Sequence, residues 1–332
     1  MNDEKKLVVG VDIGGTKIAT GLVDTHGKIL AHSKAPMIAR GEAAKGLAAV
    51  SAAINALLTA QGPFVAPPFQ GGMPKVQPSA IGICAPGPLD PFTGTIINPP
   101  NLPIWHNYPL EQEMRRVFHL NVKIDNDANA AALAEAKWGA GRGYRNVFYT
   151  CIGTGIGTGI VFDGRIYHGK SGAAGEGGHM GIDMQGPICN CGKHGCIETL
   201  ASGPAIAQRA RKKLEQGRKS ALVELSGGNP DAVNGEMVGK ACAAGDALAK
   251  EVIEETLDML AYWLGNVIDF LEPDVVIIGG GAAPLLTPFL PAIGERLGRI
   301  CVNPAPQNIP IVPAHYAEDA GIAGAAAICQ VE

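Results

Sequence analysis

The 332-residue sequence predicts an α/β fold in two lobes with a central cleft. Three observations lead there. A strand, glycine turn, strand theme occurs near 7–34 and recurs near 146–167, so the chain reads as two related halves. Between and after these hairpins, apolar residues recur at helical spacing, and strands alternating with helices pack as layered α/β domains. The composition, 46% hydrophobic and 17% charged, supports a substantial core.

In chain order, LVVGVDI (7–13), IATGLVD (18–24) and KILAHSK (28–34) read as three antiparallel strands joined by tight turns. Residues 43–61 have helical spacing and end before Gly62-Pro63. The stretch 63–78 is rich in proline and glycine, carries little charge, and reads as an exposed loop. AIGICAPG (80–87) is a buried strand running into a loop, 109–119 a helix, 121–127 a strand, and 128–141 a helix closed by glycine. The second hairpin theme fills 146–169, followed by helices at 204–218 and two more within 236–270. DVVIIGGGAA (274–283) is a strand meeting a glycine turn, 310–315 a last strand, and 320–330 a helix of small residues. The smaller lobe is expected to span 1–122 and the larger 123–317, with 318–332 returning to the first lobe.

A net charge of −4 offers no basic face for nucleic acid. The N-terminus lacks an apolar segment of signal-peptide type, and no apolar run reaches the roughly 18 residues of a membrane span. A cytoplasmic protein without nucleic-acid or membrane partners is therefore expected. In that setting structural disulfides are disfavoured. Cys84, Cys151, Cys242, Cys301 and Cys329 are scattered singly and read as small core or half-buried residues.

The motifs narrow the chemistry. Asp12-Ile13-Gly14-Gly15-Thr16-Lys17 follows a strand directly. Its glycines let backbone N–H groups approach an anion, Thr16 adds a hydroxyl, and Asp12 suits Mg²⁺; an ordinary hairpin turn would read the same way. A second such turn, Gly153-Thr154-Gly155, stands at the matching place in the other half, and two can grip one polyphosphate. Gly279-Gly280-Gly281 allows either close approach to a flat group such as a purine or a tight strand-to-helix connection. Asp125-Asn126-Asp127-Ala128-Asn129 ends a strand and opens a helix. One such residue can cap the helix, but four polar residues also suit hydroxyl recognition, with an aspartate as proton acceptor. His179 with Cys189, Cys191 and Cys196 gives H-x9-C-x-C-x4-C, a closed set of four ligands for a structural Zn²⁺. Glu176 and Glu198 flank that knuckle and would be fixed by it.

Together these residues resemble the ROK family of repressors, open reading frames and sugar kinases. The resemblance rests on DIGGTK at 12–17, APGPLD at 85–90, PNL-x-x-W at 100–105, NDAN at 126–129, GTGIGTG at 153–159, GEGGH at 175–179, C-x-C-G-x-x-G-C-x-E at 189–198 and GGG at 279–281. It implies an actin-like (ribonuclease H-like) ATPase fold and ATP-dependent phosphorylation of a hexose 6-hydroxyl. By resemblance, Asp127 is the general base. Gly87, Asn101, Asn126, Asp127, Glu176, His179 and Glu198 hold the sugar. Asp12, Gly14, Gly15, Thr16, Lys17, Gly153, Thr154, Gly155 and Gly280 form the ATP and Mg²⁺ side. Glucose is the first expectation. N-acetylglucosamine, N-acetylmannosamine, fructose and allose are alternatives, as is polyphosphate for the donor. A homodimer or homotetramer is implied. Family members that are repressors carry an added N-terminal DNA-binding region, for which a first strand starting by residue 7 is expected to leave no room.

Overall fold

Residues 6–59 and 78–330 are described by a computed structural model of the chain. The proline- and glycine-rich loop expected at 63–78 lies, except for Pro78, outside the described residues.

The first sheet begins as an antiparallel meander of β1 (Val8–Ile13), β2 (Lys17–Val23) and β3 (Ile29–Pro36), followed by α1 (Ala43–Leu58). After β4 (Ala80–Ala85) come the short paired strands β5 (Leu89–Asp90) and β6 (Thr95–Ile96), then α2 (Leu110–Phe118), β7 (Asn121–Asn126) and α3 (Asp127–Trp138). The theme repeats with β8 (Asn146–Ile152), β9 (Ile156–Phe162) and β10 (Arg165–Ile166). Helices follow: α4 (Ile197–Ala201), α5 (Gly203–Glu215), α6 (Leu222–Leu225), α7 (Gly235–Ala243) and α8 (Ala247–Leu271). The chain ends with β11 (Val275–Gly279), α9 (Ala283–Leu286), α10 (Leu290–Leu297), β12 (Ile311–Pro313) and α11 (Ala320–Ile328).

The strand orders are β3-β2-β1-β4-β7 and β10-β9-β8-β11-β12. In each, a meander leads to two further strands that pair in parallel: β1 with β4 and β4 with β7, then β8 with β11 and β11 with β12. The repeated glycine-turn theme thus marks a repeated topology. The chain divides into one unit of Met1–Arg145, Gly159–Gly175 and Glu318–Glu332, and another of Asn146–Thr158 and Glu176–Ala317. The first unit therefore runs to Arg145 rather than 122, because β7 pairs with β4 over Ala80↔Asn121 to Ala85↔Asn126 and α3 packs on α11.

The small-residue helix α11 belongs to this first unit, and the sheet is shaped for it. Gly21, Gly10 and Gly82 stand side by side across β2, β1 and β4. A Cβ on Gly10 or Gly82 would overlap the Ile322 or Ala325 carbonyl, and one on Gly21 would lie 2.5 Å from Ile322 Cγ2. The glycine row lets the helix backbone lie directly on the sheet, and the alanines of α11 keep it there. The opposite face of the sheet packs Val9, Val11, Ile81 and Ile83 against α1 residues Val50, Ile54 and Leu57. In the second unit the long helix α8 is capped by Asp246, which accepts the Ala249 N–H at 2.8 Å, and it buries Trp263 against Phe148. No helix among the described residues is long and apolar enough to cross a membrane.

Candidate active site

In the first unit the polar groups gather where β1, β4 and β7 end. Asp12 is half-buried near the end of β1, and Gly14 N–H closes the turn on Lys17 O at 2.9 Å. A Cβ on Gly15 would stand 2.8 Å from Asn101 O, so this glycine lets the turn pack against the Asn101 backbone. Thr16 and Lys17 are exposed beside it. Burial raises the Asp12 pKa, against the Cys84 thiol 3.7 Å from its Oδ1 and the charge of Lys17.

The Asp-Asn-Asp cluster divides its work. Asn126 is the helix cap: its Oδ1 accepts the N–H groups of Ala128 at 2.9 Å and Asn129 at 3.3 Å. The helix therefore starts at Asp127, one residue earlier than expected, and Asp127 becomes its first residue. The amide nitrogen of Asn126 is turned toward Gly87, 3.6 Å from where a Cβ there would stand. The Asp127 carboxyl is open to solvent on one side and crowded by protein on the others. This desolvation, with the Asp12 charge, raises its pKa to about 6, against the hydrogen bond from Ala128 N–H.

Asp125 is buried and supports the junction from behind. Its Oδ1 accepts Asn126 N–H at 2.7 Å and the Asn129 amide at 3.2 Å, and its Oδ2 meets His168 Nε2 at 2.6 Å. His168 has no signature in the sequence, because a lone histidine after a short strand carries no local pattern. Phe92 holds its ring edge-on at 5.6 Å.

In the second unit the turn Gly153-Thr154-Gly155 closes with Gly153 N–H donating to Gly155 O at 2.9 Å. Gly203 N–H, at the start of α5, donates to Gly153 O at 2.9 Å, and Ala282 N–H donates to Ile152 O at 2.8 Å. Gly280 has φ +89 and lies on the Ile152 backbone, where a Cβ would come within 2.5 Å of Ile152 O. Beside the turn opens a cavity of about 990 Å³ with apolar walls that include Pro204, Ala207, Leu285 and Phe289. Gly153, Thr154 and Gly281 line it, whereas Gly280 supports the turn from outside it. Arg211 also reaches the cavity, held by Nε and Nη2 donating to Val233 O at 3.0 and 2.6 Å.

Glu176, exposed, opens the short 3₁₀ turn Gly177–His179. Gly177 N–H donates to Thr158 Oγ1 at 2.8 Å, and Trp263 Nε1 donates to Gly177 O at 3.1 Å. His179 directs Nδ1 at Cys189 Sγ, 3.4 Å away, while Cys191 and Cys196 Sγ are 3.6 Å apart. All four ligand atoms lie within 4.8 Å of one another, and all eight cysteines are free thiols. The separations fit one tetrahedral ion: bonds of about 2.3 Å to sulfur and 2.0 Å to nitrogen put neighbouring ligands roughly 3.5–3.8 Å apart. A disulfide needs about 2.05 Å between sulfurs. Burial pushes the Cys196 thiol up to about 12, so a thiolate there needs a cation to hold it. One residue on, α4 begins, and its Glu198 accepts Ile156 N–H on Oε2 at 2.9 Å.

The ROK family profile matches residues 8–332. The chain belongs to the ROK family. A glucokinase of Thermotoga maritima is 32% identical over 98% of this chain and 97% of its own length. Among solved ROK structures, a Streptomyces griseus glucokinase in complex with glucose and AMPPNP superposes with TM-score 0.79 at 31% identity, covering 97% of this chain and 98% of that one. A ROK family transcriptional regulator, a homologue of the E. coli MLC protein, gives TM-score 0.85 at 27% identity, with 99% of this chain and 79% of that one covered. The fold is thus that of the ROK proteins, the two-lobed actin-like ATPase architecture. The ROK motif residues divide between the units. Asp12 to Lys17, Gly87, Asn101, Asn126 and Asp127 belong to the first, and Gly153 to Gly155, Glu176, His179, the three knuckle cysteines, Glu198 and Gly280 to the second.

Proposed function

We propose that this ROK protein is an ATP-dependent hexose kinase that phosphorylates the sugar 6-hydroxyl, with glucose as its substrate. The observation that carries the reading is the Asp127 carboxyl: first residue of α3, open to solvent, and tuned to about 6. The similarity to glucokinases along nearly the whole chain supports the choice of sugar.

Phosphoryl transfer depends on positioning and charge stabilisation more than on covalent help. Asp127 takes the 6-hydroxyl proton as that oxygen bonds to the γ-phosphorus, while the leaving oxygen departs with ADP. Asn126 keeps its amide nitrogen for a sugar hydroxyl because its oxygen is committed to the helix cap. Asn101, Glu176, His179, Glu198 and the backbone at Gly87 are the other proposed sugar ligands, with His179 offering Nε2 once Nδ1 faces the cysteines. The backbone N–H groups of Gly15, Thr16, Thr154 and Gly155 are the proposed phosphate donors, those of Gly14 and Gly153 being used to close their own turns, and the apolar cavity takes the nucleoside. Asp12 offers the oxygen ligand that Mg²⁺ accompanying ATP requires, and Gly280 supports the donor turn. His179, Cys189, Cys191 and Cys196 would hold a Zn²⁺ that fixes the knuckle and performs no chemistry.

A cytoplasmic setting fits this thiol-rich knuckle. A homodimer or homotetramer is also part of the reading. Tyr262 and Phe270, 51% and 85% exposed and two turns apart on α8, offer an apolar surface for it.

The test is ADP release from Mg-ATP across glucose, mannose, fructose, allose, N-acetylglucosamine and N-acetylmannosamine, with Asp127→Asn alongside. Turnover on glucose that the variant loses supports the reading. Preference for an N-acetyl sugar changes the substrate and keeps the mechanism. No turnover on any sugar, from folded protein, overturns it.

A further inference from the structure

Glu198 carries more than a sugar ligand's share of the second unit. Its Oε2 accepts Ile156 N–H at 2.9 Å, where the donor turn re-enters β9. A Cβ on Gly155 would overlap the same oxygen, so the glycine leaves room for the carboxylate to press against the turn. The turn has one short internal bond, Gly153 N–H to Gly155 O, and a three-residue loop of this kind keeps its shape only if its surroundings hold it. On the Gly153 side that support is backbone, from Gly203 N–H. On the Ile156 side it is the Glu198 side chain, whose Oε2 accepts the Ile156 N–H.

We infer that Glu198 is a positioning residue for the donor turn as well as a hexose ligand, and that one carboxylate couples the two substrates. Oε2 shapes the turn that receives the phosphates, and Oε1 remains for a sugar hydroxyl. A hexose that fixes Oε1 also fixes the rotamer that holds Ile156, so each substrate tightens the other by the same factor. The donor half of this inference goes beyond the kinase reading, and its hexose half rests on it.

Binding of Mg·AMPPNP and of glucose, each alone and in the presence of the other, is measured for wild type, Glu198→Gln, Glu198→Ala and Gly155→Ala. Metal content is checked in each so that an intact knuckle is assured. Wild type should show reciprocal tightening of about fivefold or more. Glu198→Ala should weaken sugar-free AMPPNP binding by about three- to tenfold and abolish the tightening, the size expected for loss of one such bond. Glu198→Gln still offers an oxygen to Ile156, so its sugar-free AMPPNP affinity should stay within about twofold of wild type, a rescue that a general packing defect would not show. Gly155→Ala should reproduce the Glu198→Ala loss, and combining the two should add little. Sugar-free AMPPNP affinity at the wild-type level in Glu198→Ala overturns the inference, as does an equal loss in Glu198→Gln. A wild type that turns over no hexose yet loses AMPPNP affinity on Glu198→Ala would refute the kinase reading and leave the donor half standing. A wild type that binds no nucleotide overturns both.

Discussion

A carboxylate that removes a proton from an alcohol near neutral pH works best when its own pKa lies close to that pH. Asp127 reaches about 6 through desolvation first and the Asp12 charge second, while Ala128 N–H holds the shift back. The ionised form is the base, so kcat/KM should fall as pH drops through about 6, and the limb should vanish from the residual activity of Asp127→Asn. That variant should bind glucose within about tenfold of wild type and lose on the order of 10²–10⁴ in turnover. Near-normal turnover would remove Asp127 from the base role. Stability should move the other way. The folded pKa lies above the ordinary 3.8, so the folded state holds the proton more tightly, and ionisation destabilises it as pH rises from about 4 through about 6. Asn126 keeps its cap bonds to Ala128 and Asn129 whichever residue occupies 127, and the amide oxygen in Asp127→Asn can still accept the Ala128 N–H. Asp127→Asn should therefore melt higher than wild type above pH 6 and show no such advantage at pH 4; equal melting at both would refute the raised pKa.

At the scale of elements, glycine acts in two ways, and the sequence reveals only one of them. Gly14, Gly15 and the run from Gly153 interrupt apolar strands, so a turn beside them is legible from composition and spacing alone. Gly10, Gly21 and Gly82 sit inside strands, where nothing local announces that three separate segments will align them. Their role follows only from register, as does the close seating of α11, whose backbone occupies the space their side chains would take. The same limit hid His168, which meets Asp125 across 43 residues of sequence. The knuckle was legible because its ligands are close in sequence, and the short hairpin β5–β6 was not, because two-residue strands carry no period. Gly82→Ala tests the register argument. The added methyl would overlap the Ala325 carbonyl, so α11 must shift or the strand must bend. A loss of about 3 kcal/mol or more in unfolding free energy is expected, at the upper end for overpacking. Gly164→Ala, in a turn with nothing near its side-chain position but φ +75, should cost about 1 kcal/mol through backbone strain alone. Comparable losses at the two sites would refute the account of the glycine row.

At the scale of the whole molecule, the knuckle that carries the proposed second-unit sugar ligands is a segment with little regular structure to hold it. Between Met180 and Gly195 the backbone makes isolated bridges at Gly181↔Cys196 and Ile188↔His194 but no regular helix or strand. Met184 and Ile188 are 89% and 71% exposed, so the segment does not bury its large apolar side chains. A segment without a core is held by its few local bonds, such as Ile182 N–H to Gly195 O at 2.9 Å and Ile197 N–H to Met180 O at 3.0 Å, and by the Cys3His set that gathers its ends. Removal of bound metal should therefore unfold this segment locally rather than the protein. His179 and Cys196 sit beside Glu176 and Glu198, so these proposed sugar ligands would lose position with it. Gly177 would stay, because Trp263 Nε1 and Thr158 Oγ1 hold it independently. Hydrogen exchange on chelated protein should show protection lost from 180–195 and α4, and retained in β8 and β11 of the second unit and in β1 and β4 of the first. Turnover should disappear with that protection and return when Zn²⁺ is added back. Protein stripped of metal that keeps both its protection and its turnover would show that the loop holds itself, and the four ligands would then need another explanation.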